Sequence, residues 1–367
     1  MLSAFSPIRD DRRTLVVLFL RGGADGLALV PPVGDDAYHR ARPRIAVAAR
    51  DAIRLDDRFG LNPRMAPLES LYREGQLAVV PACGSEDDTR SHFAAQDFME
   101  HGGADVGGGW LGRWLRQRGS AGGGALTALA FGTAVPESLR GAPSATALRA
   151  FSDLGLGAAA ERLTPHLASL YAADVMLADA AHDALDALNR LASLHESSYL
   201  PANGAIYGND DLAVELKRLA QLIKTDLGLE AACLDVPGWD THFLQATSME
   251  PLMARLASGL SAFATDLGSR LASTSIVVMT EFGRRVVENS SLGTDHGRGS
   301  VMFVIGGGVR GGVHGRWPGL DDDALVGPGD VRVEQNFRDV LAAVLARHGN
   351  FRADLVFPGY RVQPIPV

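Results

Sequence analysis

Two short segments of the sequence each pair a carboxylate with an imidazole. Asp240 and His242 lie in GWDTH, directly after the apolar run LEAACLDV, and Asp295 and His296 lie in GTDHGRG, just before another apolar run. A helix cap or a turn explains one polar side chain at such a place, but it does not need both. Carboxylates and imidazoles without thiolates are the ligands expected for Zn²⁺, Mn²⁺, Fe or Mg²⁺. Both segments therefore indicate a metal site.

Further polar side chains follow three other apolar runs. They are Asp25 after LVVLFL, Ser91 and His92 after LAVVPA, and Glu281 and Arg284 after SIVVM. Structural explanations exist: Asp25 suits a turn, and Ser91 suits a helix N-cap. His92 suits a packed or capping histidine, and Glu281 suits an ion pair with Arg284. Independent structural roles would scatter these residues, whereas a site would collect them at one edge of a sheet.

Apolar runs that alternate with helical patterns predict the elements that position these side chains. The runs are rich in β-branched residues and mostly continuous, which is typical of strands covered on both faces. The alternation predicts an α/β fold, a three-layer α/β/α sandwich whose central sheet is mostly parallel and binds ligands at the carboxyl ends of its strands. The predicted strands are 14–20, 77–82, 126–131, 230–236, 275–280 and 301–305, and the predicted helices include 91–101, 157–196, 211–227, 250–272 and 334–347.

No repeat or change of composition divides the chain. We therefore predict a single domain over residues 1–367, with a mainly helical insertion at about 150–228. Cys83 and Cys233 each end an apolar run, so burial as small hydrophobic residues is expected, with a thiol near the site as the alternative.

Charge and hydropathy exclude some partners. The 367 residues carry a formal net charge of −8, without the basic surface that nucleic acid binding needs. No run approaches the ~20 apolar residues of a membrane span. The N-terminal DDRRTLVVLFLRGG has paired arginines before an apolar run, but that run is too short for an export signal and is predicted to be the first core strand. As written, the chain is expected in the cytoplasm, or in the periplasm if a leader has been removed. The sequence also allows a homo-oligomer.

Several blocks of the sequence resemble a bacterial family catalogued as a domain of unknown function, in the alkaline-phosphatase-like clan of sulfatases and phosphatases. The blocks occur in the same order over nearly the whole chain and include LVVLFLRGGADGL, RSHFAAQDFME, GGWLGRWL, GWDTH, TEFGRRVVENSSLGTDHG and VMFVIGGGVRGG. The resemblance implies an alkaline-phosphatase-like fold. It also implies one or two divalent metal ions, Zn, Mn, Fe, Mg or Ca, at the carboxyl edge of the sheet.

The resemblance implies metal ligands at matching positions of this chain. Asp25 matches the carboxylate after the first strand, and Asp240 with His242 matches the loop that carries an Asp and a His. Glu281 matches the acidic member of a later acidic-plus-histidine pair, and His296 matches the last histidine of the set. These five residues are the expected ligands.

The resemblance also implies a nucleophile, and the chemistry of arginine suggests a clamp for the anionic group. Ser91 best matches a serine or threonine nucleophile at a helix N-terminus, with Thr89 as the alternative. Arg284 is the expected bidentate clamp on the anionic group, with Arg90 and Arg298 as alternatives.

Two functions follow from these expectations. The first is a metal-dependent hydrolase of phosphate, sulfate or related esters that uses Ser91 as nucleophile, with a small anionic ester or a polysaccharide-derived substrate. The second is a non-catalytic member that binds metal or ligand in an export or surface-polysaccharide pathway. Phe282 favours the second, because it stands where the family has a histidine and leaves the second metal position weak, altered or empty. A third function, that of a thiol enzyme using Cys83 or Cys233, has the least support.

Overall fold

A computed structural model describes residues 13–118, 126–150, 160–172, 199–349 and 351–367, together with Ala181 and Leu185. The six predicted strands form nearly at their predicted bounds and lie in one sheet, which confirms the α/β prediction. The strands are β1 Thr14–Leu20, β2 Ile53–Arg54, β3 Gly60–Leu61, β4 Leu77–Gly84, β5 Ala128–Phe131, β6 Thr146–Leu148, β7 Ala231–Val236, β8 Thr274–Met279, β9 Ser300–Gly306, β10 Gly312–Val313 and β11 Gln335–Asn336.

The main sheet is mostly parallel, as predicted. Its described strands run in the order β10-β4-β9-β8-β1-β7-β5-β6, and β11 pairs with β4. β1 lies between β7 and β8 and is parallel to both. β9 is antiparallel to its neighbours β4 and β8. The other described pairs of this sheet are parallel, and β2 and β3 form a separate antiparallel pair.

The direction of β9 decides where Asp295 and His296 lie. Both residues precede β9 in the sequence, so a fully parallel sheet would put them at the edge opposite to the side chains that follow the other strands. Because β9 is antiparallel, its first residues lie beside the carboxyl ends of β4 and β8. The loop that carries Asp295 and His296 therefore joins the loops that follow β1, β7 and β8.

Both faces of the sheet are covered, as the continuous apolar runs predict. Every residue of β1 is buried, and its side chains alternate between two apolar cores. Leu18 lies in the core that includes helix Gln245–Leu267, whereas Val17 lies in the core that includes helix Phe337–Arg347. The N-terminal run TLVVLFL is thus a core strand in the interior of the sheet.

The predicted helices form, although the 157–196 pattern lies partly outside the described residues and the 334–347 pattern begins with strand β11 at Gln335–Asn336 before the helix starts at Phe337. The apolar stripe of the 211–227 pattern is buried against the sheet. The single domain with its insertion stays a prediction. The helices are Gly26–Leu29, Asp36–Ala41, Glu69–Arg73, His92–His101, Trp110–Gln117, Ala160–Ala172, Asp211–Lys224, Gln245–Leu267, Phe337–Arg347 and Ala353–Val356, with 3₁₀ turns at Pro63–Leu68, Glu137–Leu139 and Gly268–Ser273.

Helix Trp110–Gln117 was not among the predicted helices. Its apolar residues Trp110, Leu111, Trp114 and Leu115 recur with helical spacing, but the helix has only eight residues and lies between glycine-rich segments of the sequence, which favour loops. Even Arg113 is buried there, where it donates to the carbonyl oxygens of Gly108 and Val356. No helix in the described part of the chain is long and apolar enough to cross a bilayer.

The turn after β1 packs directly against the GWDTH segment. The backbone N–H of Arg21 donates to the Val236 oxygen at 2.9 Å, and the N–H of Trp239 donates to the Arg21 oxygen at 3.2 Å. Between these bonds, Gly22 has a φ of +118°, and a Cβ added there would lie 2.5 Å from the backbone nitrogen of Asp240. A side chain at position 22 would therefore displace the start of the Asp240 loop.

We expect Gly22→Ala to lower the free energy of unfolding more than Gly329→Ala does. Gly329 has a φ of +107°, and nothing lies within 4 Å of an added Cβ, so this control carries only the backbone strain of about 1–3 kcal/mol. Gly22→Ala adds the clash with Asp240. Urea unfolding of both variants measures the difference, and equal losses would contradict the close packing of this turn.

Candidate metal centre

Three loops and one helix start bring ionisable side chains together at the carboxyl edge of the sheet. Asp240 and His242 follow β7, Glu281 follows β8, and His296 precedes β9. His92 is the first residue of the helix that follows β4. Four of the five expected ligands thus lie in one cleft, together with a histidine outside that set.

His92, Asp240 and His296 each direct one atom towards a common space. His92 Nε2 and Asp240 Oδ1 both lie 3.1 Å from His296 Nε2, and they lie 3.5 Å from each other. In a tetrahedral site with bonds of about 2.0–2.2 Å, neighbouring ligand atoms are roughly 3.3–3.6 Å apart. The three atoms therefore have nearly the spacing of one face of such a site, and they could hold a metal ion.

His242 extends this cluster. Its Nε2 lies 3.0 Å from Asp240 Oδ1 and 3.0 Å from His296 Nε2, so the four atoms form two triangles that share the Asp240–His296 edge. An ion on the His92 side of that edge would have three protein ligands, with the remaining position open to His242 or to solvent. Three protein ligands and one open position are typical of catalytic zinc sites.

Glu281 orients His92 by hydrogen bonding. Its Oε1 accepts from His92 Nδ1 at 2.8 Å, from Gln96 Nε2 at 2.8 Å and from the Gly22 N–H at 2.9 Å. His92 and Gln96 reach the same oxygen because they are one turn apart on one helix. Burial alone would raise the pKa of the Glu281 carboxyl, but the hydrogen bonds from His92 and Gln96 outweigh it and lower the pKa to about 2. The ionised Glu281 can only accept, so the neutral His92 ring carries its proton on Nδ1 and has its lone pair on Nε2.

His296 is oriented in the same way by a backbone carbonyl. Its Nδ1–H donates to the Arg90 oxygen at 2.9 Å, which leaves a lone pair on Nε2 of the neutral ring. Two lone pairs and the Asp240 oxygen then face one another, and these negative groups repel unless a proton or a cation lies between them. The donor set and the orientation of both rings therefore fit a divalent cation.

Arg284 lies beneath the cluster and has no exposed surface on its side chain. It donates to Asp240 Oδ1 at 2.7 Å, and the rest of its bonds go to backbone oxygens, those of Gly22, Gly23, Trp239 and Thr294. Burial raises the pKa of Asp240, but the hydrogen bonds from Arg284 and His296 hold that pKa well below its usual range. In this structure Arg284 orients Asp240 and links the loops by bonds to their oxygens, and its role as an anion clamp stays a prediction.

The other two candidate clamps also have partners. Arg90 donates to Asp330 Oδ2 from Nε at 2.9 Å, and Asp330 is fully buried. Arg298 donates to the carbonyl oxygens of Ser85 and Glu86 at 3.4 and 3.2 Å. These arginines hold the loop before Ser91 in place.

Asp25 lies outside the cluster. It begins the short helix Gly26–Leu29, and its carboxylate forms a bidentate ion pair with Arg42 at 2.5 and 3.1 Å, with a further bond from Gln245 Nε2. Both charged side chains are buried. A guanidinium thus supplies the positive charge that a second metal ion was expected to supply.

Ser91 stands immediately before His92, at the N-terminus of helix His92–His101. Its hydroxyl makes no hydrogen bond to a described residue and does not cap the helix, contrary to the N-cap explanation. The alternative nucleophile, Thr89, donates its hydroxyl proton to Asp87 Oδ1 at 2.8 Å. Arg90 has a φ of +53°, which is strained for a residue with a side chain and is common near functional sites. Of these two hydroxyls, that of Ser91 is the one that makes no hydrogen bond to a described residue.

Phe282 fills the space beside the histidines. Its ring centroid lies 4.9 Å from that of His92 and 5.0 Å from that of His296, and the ring is buried. A Cβ added at Gly23 would lie 2.4 Å from the Phe282 ring. Position 282, where the resembled family has a histidine, therefore holds a tightly packed aromatic ring.

Both cysteines are buried, as predicted. Burial raises the pKa of the Cys83 and Cys233 thiols, so neither is a thiolate near neutral pH. The thiol-enzyme interpretation has no support in this structure.

His92 is the residue that sequence reasoning undervalued. Its place at a helix start after a strand was visible, but a capping or packed histidine explains such a position equally well. Only the contact with Glu281, 189 positions away in sequence, distinguishes the two interpretations.

The architecture is that of an α/β protein with a histidine- and carboxylate-rich centre at the carboxyl edge of its sheet. The chain belongs to the family described as protein of unknown function DUF1501, which matches residues 12–359. This confirms the family resemblance seen in the sequence. No curated protein matches the sequence.

Several solved structures are similar to this chain at low identity. The PsFucS1 sulfatase from Pseudoalteromonas sp. is 12% identical with a TM-score of 0.40, over 94% of this chain and 70% of the other. The zinc complex of the C-terminal periplasmic domain of EptC from Escherichia coli is 8% identical, with a TM-score of 0.38, over 81% and 73%. An alkaline phosphatase superfamily protein from Vibrio parahaemolyticus is 10% identical, with a TM-score of 0.37, over 93% and 67%. TM-scores and identities this low do not show that these proteins share a functional site with this chain.

Asp240→Asn and Asp25→Asn should separate metal binding from stability. Asp240→Asn removes a carboxylate from the cluster, so zinc affinity should fall by more than the roughly 10- to 100-fold typical of an orienting residue. Asp25→Asn leaves Arg42 buried without its counter-charge and should lower the free energy of unfolding by about 3–5 kcal/mol while zinc affinity is kept. Zinc titration and urea unfolding of both variants test this. Loss of zinc from Asp25→Asn alone would show that the ion binds elsewhere.

Zinc binding should release protons at mildly acidic pH. The hydrogen bond with Glu281 raises the pKa of His92 above its ordinary value of 6.5, so His92 keeps a proton at pH 6 that an ion must displace. Burial lowers the pKa of His296, which adds little to this competition. Affinity should therefore fall as pH falls from 8 to 6, with about one proton released per ion near pH 6. Calorimetry in buffers of different ionisation enthalpy measures this number, and pH-independent affinity without release would contradict it.

Proposed function

We propose that this protein is a metal-dependent hydrolase of an anionic ester, a phosphate, a sulfate or a related ester. One ion would be held by His92, Asp240 and His296, and Ser91 would be the nucleophile. The single observation that carries the proposal is the convergence of two oriented imidazole lone pairs and one carboxylate oxygen at 3.1–3.5 Å. Such a group of atoms is stabilised by a cation.

The donor set favours zinc among the expected ions. Imidazole nitrogens suit Zn²⁺ and its transition-metal neighbours, whereas Mg²⁺ and Ca²⁺ prefer oxygen ligands. A bound zinc ion would supply Lewis-acid polarisation of the ester and would ease deprotonation of a nearby hydroxyl. One ion suffices in this proposal, because Asp25 pairs with Arg42 and Phe282 occupies the place of another ligand.

The residues of the chain would bind and attack the ester at the start of helix His92–His101. The first backbone N–H groups of this ten-residue helix present partial positive charge, which favours the anionic group. Ser91 is placed at that terminus with an unengaged hydroxyl, and His92 joins the same terminus to the cluster. Phe282 would exclude water on one side of the histidines.

The reaction would then take two steps. In the first, Ser91 Oγ bonds to the phosphorus or sulfur as the bond to the alcohol oxygen breaks, and the alcohol leaves with the serine proton. In the second, water cleaves the serine ester, which restores the Ser91 hydroxyl and releases the inorganic acid.

A second candidate function is metal binding without catalysis. If His242 completes the coordination, the ion has four protein ligands, which is typical of structural zinc sites. The engaged donors of Arg284 also favour this function, because the expected clamp already bonds to protein oxygens.

Two measurements distinguish these functions. Metal analysis of the purified protein gives the ion and its stoichiometry, and a screen of chromogenic phosphate monoesters, phosphodiesters and sulfate esters gives the activity. One zinc ion with turnover supports the hydrolase. One zinc ion without turnover on any ester class supports the binding protein, and turnover without metal contradicts both.

Ser91→Ala should abolish turnover and leave the metal in place. The substitution removes the attacking oxygen, for which we expect a loss of about 10³-fold or more in kcat, but it removes no ligand. Because the hydroxyl makes no capping bond, the free energy of unfolding should change by less than about 0.5 kcal/mol. Steady-state kinetics, zinc content and urea unfolding are measured together.

Thr89→Ala is the matched control for Ser91→Ala. It removes a hydroxyl two residues away that already bonds to Asp87, and it should keep most of the turnover. Full activity in Ser91→Ala with loss in Thr89→Ala would reverse the assignment. Full activity in both variants would indicate that a water molecule, and neither hydroxyl, is the nucleophile.

A further inference from the structure

Asp330 is a buried carboxylate that is joined to the metal centre through Arg90. Its side chain has no exposed surface, and its Oδ2 accepts from Arg90 Nε at 2.9 Å and from Arg90 Nη2. Its Oδ1 is buried without a hydrogen-bond partner among the described residues. A buried ion pair often adds no net stability over apolar side chains of similar size, so stability alone does not explain this pair.

The backbone on both sides of Asp330 is bonded to the segment that carries the sequence GTDHGRG. The N–H of Val286, before that sequence, donates to the Gly329 oxygen at 3.0 Å. The N–H of Gly299, at its end, donates to the Val331 oxygen at 3.0 Å. Asp330 is therefore fixed in position relative to the histidine loop, and it can in turn hold a side chain in place.

Arg90 connects Asp330 to His296. Its φ of +53° is unfavourable for a residue with a side chain, and such a conformation persists only where the surrounding structure holds it. The guanidinium is held by Asp330, and a Cβ added at Gly327 would lie only 2.6 Å from Arg90 Nη2. The carbonyl oxygen of the same residue accepts from His296 Nδ1 at 2.9 Å. One strained residue thus links the buried carboxylate to the ring of a cluster histidine.

We infer that Asp330 is a positioning residue of the metal centre. By fixing the Arg90 side chain, it holds the Arg90 carbonyl where that oxygen accepts the Nδ1 proton of His296, so that His296 Nε2 keeps its lone pair for the ion. Arg90 is then a link within the protein and not a clamp on the anionic group. The inference rests on the proposed function only for the presence of a metal ion at the cluster.

The tautomer of His296 in the zinc-free, full-length protein tests the inference without the metal. ¹⁵N NMR distinguishes a ring nitrogen that carries a proton from one that carries a lone pair, and the His296 signals are assigned by their loss in His296→Gln. At about pH 8, above the ordinary pKa of imidazole, the proton should lie on Nδ1. Asp330→Asn removes the charge that holds Arg90 and should give a mixture of both tautomers. The same single tautomer in both proteins would overturn the inference.

Zinc affinity gives the second readout. Asp330→Asn should weaken zinc binding by about tenfold, the lower end of the roughly 10- to 100-fold typical of groups that orient a metal ligand. Asp266→Asn is the matched control, because Asp266 also has no exposed side-chain surface and pairs with a partly exposed cation, Lys224, near the amino end of β8. Both variants should lower the free energy of unfolding, but only Asp330→Asn should weaken zinc binding. Equal losses of zinc affinity would indicate a general loosening of the fold and contradict the positioning role.

A double variant shows whether Asp330 acts through Arg90. Arg90→Gln combined with Asp330→Asn leaves neither charge unpaired, so this variant should fold even if Asp330→Asn does not. It should show mixed tautomers and about tenfold weaker zinc binding, because the effects of two groups that act as a unit do not add. Additive losses of zinc affinity would show that the two residues act independently, against the inference. Unchanged zinc affinity with weaker binding of inorganic phosphate in Arg90→Gln would make Arg90 a clamp, which also contradicts it.

These measurements separate the inference from the proposed function. Zinc-dependent ester turnover, with a His296 tautomer and a zinc affinity that do not depend on Asp330, supports the hydrolase and removes the positioning role. A tautomer that depends on Asp330, in a protein that turns over no ester, supports the positioning role and removes the hydrolase.

Discussion

Two imidazole lone pairs and one carboxylate oxygen face one another at 3.1–3.5 Å, and the rest of the centre depends on this repulsive arrangement. Neighbouring hydrogen-bond acceptors fix the orientation of both histidine rings and so produce this arrangement. Glu281 takes the Nδ1 proton of His92, and the carbonyl of Arg90 takes that of His296. Each acceptor turns the other ring nitrogen towards the cluster, which is the usual role of the groups behind metal-binding histidines. A divalent cation bound by these atoms would supply the counter-charge that turns this repulsion into attraction.

The scaffold supplies these contacts through a few features of its topology. The antiparallel β9 brings the His296 loop to the edge at which β4, β7 and β8 end. Gly22 lets the turn after β1 approach the Asp240 backbone, and its N–H also binds Glu281. The ion pair of Asp25 with Arg42 and the ring of Phe282 occupy positions at which the family resemblance implied ligands for a second ion. These features together favour a centre with one ion.

The sequence predicted the sheet well because its strands are continuous apolar runs, a pattern that only a doubly covered sheet explains. It also predicted that Asp240, His242 and Glu281 lie together, because residues that follow parallel strands share one edge, whereas His296 joins them only because β9 is antiparallel. It could not distinguish the residues whose atoms face the common space from the residues that orient them by hydrogen bonding. Glu281 and His92 differ in role only through a hydrogen bond between distant segments. Asp25 pairs with Arg42, which directly follows helix Asp36–Ala41, and no sequence pattern predicts that contact. Strand direction at β9 is likewise a property of the assembled sheet.

Anomalous diffraction from zinc-loaded crystals tests the central claim most directly. The account predicts one zinc peak within about 2.0–2.2 Å of His92 Nε2, Asp240 Oδ1 and His296 Nε2, with Glu281 still bonded to His92 Nδ1. A zinc ion bound by the carboxylates of Asp25 or Glu281, with His92 turned away, would contradict it.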